Sequence, residues 1–180
     1  MGASLMRGIV PAVVTPFREN EAIDYGAWQG VLDRLIAAGV HGLFAAGGQG
    51  EFFALSEEER TVAARFCAQT VSGRVPLYVN TGAVTTAETV RLSQQAAAEG
   101  ADFIVVVTPY YLRPSADELV EHFSEVCRSV SLPVLAYNIP QFTGVDLAPE
   151  VVARVAASCE NFVGLKDSGG RVERIPEWKR

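Results

Sequence analysis

Cysteine and histidine are scarce in this 180-residue chain, and none is spaced as a metal site requires. The three cysteines, Cys67, Cys127 and Cys159, lie far apart, and the two histidines, His41 and His122, occupy unrelated segments. No HxH or HExxH pattern is present. We therefore expect no metal site and no disulfide framework, and the isolated cysteines favour a cytoplasmic protein.

Basic runs and long apolar segments are also missing. The formal net charge is −6, which argues against a nucleic-acid partner because such a surface needs a basic face. Every apolar stretch falls short of the roughly 20 residues of a membrane span, so we expect no membrane partner. With 49% hydrophobic and 20% charged residues, the composition is typical of one ordinary globular domain.

An apolar run, a turn and a helical pattern follow one another about every thirty residues. Six near-continuous apolar runs have the character of strands that are buried on both faces. These runs are GIVPAVVTPF from Gly8, HGLFAAGG from His41, VPLYVNTG from Val75, ADFIVVVTPYY from Ala101, LPVLAYNIP from Leu132 and NFVGLKD from Asn161.

Helix signals occupy the intervals between these runs. A helical face that includes Trp28 and Leu32 begins after Asp24. Gly39 and Gly100 stand at expected helix ends. Three later helices are predicted to open with capping boxes, in which a hydroxyl and a carboxylate satisfy reciprocal backbone donors. The boxes are Ser56 with Glu59, Thr85 with Glu88, and Ser115 with Glu118.

Strand–helix units of this kind fit either a (β/α)₈ TIM barrel or a doubly wound open sheet, and the rhythm alone does not choose between them. The absence of GxGxxG after the first run, and of GxxxxGK[ST] anywhere, weighs against the nucleotide-binding open sheet. A complete barrel typically needs about 250 residues. We therefore expect a single (β/α) barrel domain over residues 1–180, with about six units and truncated in the sixth helix.

The carboxyl ends of parallel strands are where reactive groups collect, and two residues there have a clear chemical meaning. Lys166 follows the apolar run NFVGL, which favours a partly desolvated, nucleophilic amine. Tyr137 ends the preceding run and is a candidate proton relay. The structural alternatives are a lysine that pairs with Asp167 and an interior tyrosine.

The glycine-rich turn GGQGE, residues 47–51, is the candidate anion site. Backbone N–H groups at the amino end of a helix can bind the carboxylate of a 2-oxo acid. Gly-rich turns after strands are common, so this signal is weak by itself. Tyr110 and Tyr111 fit either a lid or subunit contacts, with ordinary packing as the alternative.

Four motifs in this order, GGQGEFFALSEEER, TPYYLRPS, YNIPQFTGVDL and GLKDSGG, resemble the dihydrodipicolinate synthase and N-acetylneuraminate lyase family. The resemblance implies a (β/α)₈ barrel, usually homotetrameric, with no metal or organic cofactor. It also implies a Schiff base between a lysine, here Lys166, and pyruvate or a related 2-oxo acid. The tyrosine of the family's YN(V/I)P motif falls on Tyr137, and the tyrosine that dihydrodipicolinate synthase contributes across a subunit contact falls on Tyr111.

Two departures from the family pattern bear on the substrate. Where the family usually has GTTGE or GSTGE, Gly48 and Gln49 replace hydroxyl residues that bind pyruvate and link the tyrosines. Phe142 stands where dihydrodipicolinate synthases carry an arginine for the second substrate's carboxylate. Loss of that bidentate clamp disfavours aspartate semialdehyde.

We therefore expect a Schiff-base lyase, either an aldolase or dehydratase or a synthase, that acts on pyruvate or a sugar-derived 2-oxo acid. Its expected catalytic residues are Lys166 and Tyr137. The substrate-binding residues would be Gly47, Gly48, Gln49, Gly50, Tyr111 and Phe142. By resemblance the partner would be a second copy, in a tetramer or dimer. A non-catalytic relative that binds a 2-oxo acid is the alternative.

Overall fold

The computed structural model describes residues 6–179 of the chain. The expected domain over residues 1–180 also includes Met1–Leu5 and Arg180, which lie outside the described residues. By their contacts the residues divide into two compact units. Unit 1 comprises the chain up to Asn80 together with Gln95–Ile104, and unit 2 comprises Thr81–Gln94 with the chain from Val105 onward.

Strands and helices alternate along the chain, which is the expected α/β class. The sheet order of the five strands follows the chain order, and both β1–β2 and β4–β5 pair in parallel. The strands are β1 (Leu43–Ala45), β2 (Leu77–Asn80), β3 (Phe103–Val107), β4 (Val134–Asn138) and β5 (Phe162–Asp167). The helices are α1 (Tyr25–Ala37), α2 (Glu57–Val71), α3 (Thr86–Ala98), α4 (Ala116–Ser129), α5 (Pro140–Thr143) and α6 (Pro149–Ser158).

The first apolar run does not form the strand that the sequence predicts. It makes two isolated bridges, an antiparallel one between Phe17 and Ile23 and a parallel one between Ala12 and Phe44. The Phe44 N–H donates to the Pro11 carbonyl and the Val13 N–H donates to the Phe44 carbonyl, both at 2.9 Å. Pro11 and Pro16 have no N–H to donate to a ladder, so extended pairing stops after this bridge. Within residues 6–179 the structure therefore has five named strands, and not six.

The helix boundaries follow the predicted capping residues. Complete capping boxes form at Ser56 with Glu59 and at Ser115 with Glu118. At the start of α3 the Glu88 N–H donates to the Thr85 hydroxyl at 3.2 Å, which is the hydroxyl half of the expected box. The expected sixth helix is instead two short 3₁₀ turns, Val172–Arg174 and Glu177–Lys179.

Each unit has its own buried apolar side chains. In unit 1, α1 buries Trp28 and Leu32, and the Tyr78 and Phe103 rings stack with centroids 4.3 Å apart. In unit 2, α4 buries Leu119 and Phe123.

Candidate active site

The register of β4 and β5 places the two candidate catalytic residues side by side. Tyr137 pairs with Lys166, and the next pair is Asn138 with Asp167. Paired residues on adjacent strands point to the same face of a sheet, so Tyr137 and Lys166 share one face, and Asn138 and Asp167 share the other. The Lys166 Nζ lies 3.6 Å from the centroid of the Tyr137 ring, and Tyr137 is buried. The face of the aromatic ring attracts the cationic form of the amine.

A hydroxyl also contacts the amine. The Lys166 Nζ donates to the Ser168 Oγ at 2.9 Å. The Ser168 N–H donates to the Asn138 carbonyl at 2.8 Å, and the Gln141 side-chain amide donates to the Ser168 carbonyl at 2.9 Å. The turn that follows Lys166 is thereby attached to the end of β4.

Asn138, the last residue of β4, is fully buried and joins three segments of unit 2. Its side-chain amide donates to Asp167 at 2.9 Å and to Asp146 at 3.3 Å, and its Oδ1 accepts the Leu147 N–H at 2.9 Å. A buried amide satisfied in this way holds its neighbours in one arrangement. Asn138 therefore fixes the end of β5 immediately after Lys166.

Asp146 is the charged centre of this network. Arg171 and Arg174 both donate to its carboxylate, the latter at 2.8 Å. Partial burial favours the protonated carboxyl, but the hydrogen bonds from Arg171, Arg174 and Asn138 outweigh it and hold the pKa of Asp146 below its ordinary value. The Asp146 carboxylate is thus kept ionised beside the end of β4.

The turn after β1, residues 47–51, is built from backbone hydrogen bonds. The Gly50 and Glu51 N–H groups donate to the Gly47 and Gly48 carbonyls, each at 3.1 Å, and the Thr15 hydroxyl donates to the Gly50 carbonyl at 2.7 Å. Two of the N–H groups of the predicted anion site are therefore already used inside the turn. A 3₁₀ turn, Phe52–Ala54, follows, and α2 begins only at Glu57. The expected helix amino end directly after this turn is therefore absent.

The glycines of this turn differ in the space around them. A Cβ at Gly47 would lie 2.7 Å from the Phe44 ring, and one at Gly50 would lie 3.1 Å from the Val13 carbonyl. Gly48 has open space around its Cα. Gln49 is exposed. The turn therefore needs glycine at positions 47 and 50, while Gly48 and Gln49 meet no such restriction.

The structure places Tyr111 and Phe142 at the surface of unit 2. Tyr111 is 92% exposed and has a φ of 75°, which is rare for a residue with a Cβ. Phe142 lies in the single-turn helix α5 and is 81% exposed. Backbone strain of this kind persists where the surroundings hold it, and it occurs often at functional sites.

Sequence reasoning assigned no role to Ser168 or to the side chain of Asn138. The available signal was position, because Asn138 ends β4 next to Tyr137 and Ser168 follows Lys166 by two residues. Serine is common in turns, so the presence of a serine at position 168 did not by itself predict a contact with the Lys166 amine.

Within residues 6–179, His, Cys, Asp and Glu side chains form no group of three or more that could hold a metal ion. No helix in the same range is long and apolar enough to cross a membrane. All three cysteines are buried and free of disulfides, and burial raises the pKa of Cys67 to about 12.

A sequence model of the family described as "Dihydrodipicolinate synthetase family" matches residues 5–180. The chain belongs to this family. Its expected fold class is confirmed by solved structures of the family, and the strands and helices described above superpose on part of their (β/α)₈ barrel. The dihydrodipicolinate synthase of Aquifex aeolicus superposes with a TM-score of 0.93 and 34% identity, over 96% of this chain and 59% of that one.

Curated relatives of the family carry two kinds of name. A 4-hydroxy-tetrahydrodipicolinate synthase of Brucella abortus is 39% identical over 96% of this chain and 59% of its own length. YagE of Escherichia coli, which has the provisional name 2-dehydro-3-deoxy-D-gluconate aldolase, is 44% identical over 92% of this chain and 55% of its own. The structure of YagE in complex with pyruvate superposes with a TM-score of 0.94 and 42% identity, over 97% of this chain and 58% of that chain. This chain thus spans little more than half the length of these relatives.

Proposed function

We propose that this protein is a Schiff-base lyase or synthase that acts on pyruvate or a sugar-derived 2-oxo acid. The observation that carries the proposal is the Lys166 Nζ, 3.6 Å from the centre of the buried Tyr137 ring at the carboxyl ends of adjacent strands. A half-buried amine beside a phenol, at the strand ends where the reactive groups of such folds collect, fits a carbonyl-attacking lysine with its proton relay. Family membership supports the same chemistry.

In the proposed reaction, the neutral Lys166 amine adds to C2 of the 2-oxo acid. A C–N bond forms, the carbonyl π electrons move to oxygen, and the carbinolamine that results loses its hydroxyl with a proton as water. Tyr137 relays these protons through its phenol group. In the cleavage direction the protonated imine accepts the electron pair of the C3–C4 bond, while the C4 hydroxyl gives up its proton and the distal fragment leaves as an aldehyde. C3 of the resulting enamine then takes up a proton, and hydrolysis of the imine by water releases pyruvate and restores the amine.

We propose sugar-derived acids in preference to aspartate semialdehyde. Phe142 offers an exposed phenyl group and no cation, so it cannot clamp a second carboxylate. The name of YagE, as a sugar-acid aldolase, supports this choice.

Six further roles belong to the proposal. Gly47, Gly48, Gln49 and Gly50 would bind the substrate carboxylate, with Gln49 donating through its amide in place of the family's hydroxyl. Tyr111 and Phe142 would contact the rest of the substrate. The exposed aromatic ring of Tyr111 and its strained backbone also support a subunit contact, so we propose a dimer or tetramer.

The remaining proposals concern the whole protein. We propose that residues 1–180 belong to one barrel domain, because the family match runs from residue 5 to residue 180. The three buried, unpaired cysteines support a cytoplasmic location. No metal or organic cofactor enters the proposed chemistry.

The test uses the fact that the sequence holds two lysines, Lys166 and Lys179. The protein is incubated with pyruvate and borohydride, and its peptides are analysed by mass spectrometry. We expect a reduced pyruvyl adduct on Lys166 and none on Lys179. The variant Lys166→Met should lose the adduct, whereas Lys179→Arg should retain it.

Equal labelling of the two lysines, or no label on Lys166, would contradict the proposal. Turnover is then followed on a panel of 2-oxo acids that includes 2-keto-3-deoxy sugar acids. An adduct at Lys166 without turnover on any member of the panel would favour the non-catalytic relative.

A further inference from the structure

The amine of Lys166 lies between an aromatic face and a hydroxyl. Its Nζ is 3.6 Å from the centroid of the Tyr137 ring and 2.9 Å from the Ser168 Oγ. Both Lys166 and Ser168 are half-buried, so water screens this hydrogen bond less than one at the surface.

The position of the Ser168 hydroxyl is fixed by backbone contacts on both sides of the residue. Its N–H donates to the Asn138 carbonyl at 2.8 Å, and its carbonyl accepts from Gln141 at 2.9 Å. Both partners belong to the segment at and just after the end of β4, next to Tyr137. The hydroxyl is therefore held in place by hydrogen bonds that do not involve the amine itself.

We propose that Ser168 is a further catalytic residue, a hydrogen-bond acceptor for the Lys166 nitrogen before and after Schiff-base formation. The role before pyruvate arrives depends only on the observed contact, and the later role rests on the proposed function. An acceptor at this distance holds the Lys166 nitrogen in one position. Once the imine forms and is protonated, its nitrogen keeps a single N–H, and the Ser168 oxygen is already placed to accept it. The hydroxyl thereby restrains rotation about the Lys166 side chain while C3 reacts.

Other ionisable groups in unit 2 are close to this contact, so the test must separate them from the hydroxyl. Tyr137 faces the amine from β4, and Asp167 is on the opposite face of β5. Asp146, from the segment before α6, is tied to Asn138, Arg171 and Arg174. Ser168→Ala leaves all of these groups in place, so a change in the titration of Lys166 would belong to the hydroxyl.

The experiment is competitive trace acylation of the whole protein with acetic anhydride across a pH series, without pyruvate. Peptide mass spectrometry gives the labelling of Lys166 relative to Lys179, and therefore its titration midpoint. In Ser168→Ala we expect the pH profile of Lys166 labelling to differ from that of the wild type, since the amine loses its hydroxyl acceptor. Ser168→Thr keeps a hydroxyl and should restore the wild-type midpoint. Ser168→Cys is the second variant if alanine impairs folding, and its weak acceptor should shift the midpoint in the same direction.

Ser158→Ala is the matched control. That hydroxyl donates to the Arg154 carbonyl of its own helix at 2.9 Å and should not affect the midpoint. An unchanged midpoint in both Ser168→Ala and Ser168→Cys, or a threonine variant that behaves like alanine, would overturn the proposal.

Borohydride trapping with pyruvate is run in parallel on the same variants. At high pH, where the trapping rate no longer changes with pH, we expect Ser168→Ala to trap the imine about ten times more slowly than the wild type. This rate tests the role of the hydroxyl after Schiff-base formation. A shifted midpoint with an unchanged trapping rate would overturn that later role. A shifted midpoint in a protein whose wild type gives no pyruvate adduct would overturn the proposed function while supporting the contact of the hydroxyl with the amine.

Discussion

The turn after β1 and the ends of β4 and β5 are held by different kinds of interaction. Residues 47–51 are held by backbone hydrogen bonds and by two glycines that neighbouring atoms crowd. The ends of β4 and β5 are held by side chains, with Asn138 bonded to three partners and Ser168 to the amine. A backbone-held turn tolerates changes in those side chains that point away from it, whereas a side-chain network depends on each member.

This difference determines which positions the fold restricts. Gly48 and Gln49 are at uncrowded or exposed positions of the turn. Their replacement costs the fold little, so such positions can follow the chemistry of the substrate. Asn138, by contrast, is fully buried and both the amide and the oxygen of its side chain are hydrogen-bonded, so the fold restricts this position.

The largest effect on stability is expected from Asn138→Ala. The change removes three hydrogen bonds and leaves the Leu147 N–H without its acceptor, so we expect a loss of roughly 3 to 4 kcal/mol in the free energy of unfolding. Urea titration followed by circular dichroism measures it. Asn20→Ala is the control, because Asn20 is exposed and its side chain accepts one 3.3 Å bond from the Ala22 N–H. A loss no larger than that of Asn20→Ala would show that the ends of β4 and β5 do not depend on this side-chain network.

The free energy of unfolding is expected to change by about 3 kcal/mol with pH because of buried His122 in unit 2. The Nδ1 of buried His122 lies 2.9 Å from the Thr86 hydroxyl, and burial lowers the pKa of His122 from its ordinary 6.5 to about 4. Between these values the unfolded chain binds a proton that the folded one does not, so stability falls as the pH falls through this window. The contribution lost between pH 7 and pH 4 is about 3 kcal/mol.

Urea unfolding of the wild type and of His122→Asn at both pH values isolates this contribution. The carboxylates titrate in both proteins, so the difference between the two pH dependences belongs to His122. If the free energies of unfolding of the two proteins changed equally between the two pH values, His122 would not be the source of the pH dependence.

In the backbone-held turn, Gly50→Ala should destabilise the fold by about 2 kcal/mol. Its Cβ would lie 3.1 Å from the Val13 carbonyl and 3.3 Å from Ala46, so backbone atoms must move. Thermal and urea unfolding measure the loss. A variant as stable as the wild type would show that crowding does not hold this turn.

The smallest effect is expected from Gly48→Ala, the matched change two residues earlier. Nothing lies within 4 Å of the added Cβ, and the φ of Gly48 is not in the left-handed region. We expect the free energy of unfolding to stay within about 0.5 kcal/mol of the wild type, measured in the same urea titration. A loss as large as that of Gly50→Ala would remove the distinction between the two positions.

The sequence by itself determined the local features of this protein. Capping hydroxyls and carboxylates set the starts of α2 and α4, and Gly39 and Gly100, both at positive φ, follow the ends of α1 and α3. These signals act within one helical turn, so they can be recognised without knowledge of distant partners. Five of the six predicted strands, and the positions of Tyr137 and Lys166 at their ends, were recognisable in the same way from apolar runs.

Only the tertiary structure decided which residues touch. It reduced the first apolar run to two isolated bridges, because its prolines lack the N–H groups that a ladder requires. It also set the register that places the Lys166 amine over the Tyr137 ring and the Ser168 hydroxyl on that amine. Strand register and side-chain contacts depend on residues far apart in the chain, which is why the candidate nucleophile could be predicted from the sequence and its surroundings could not.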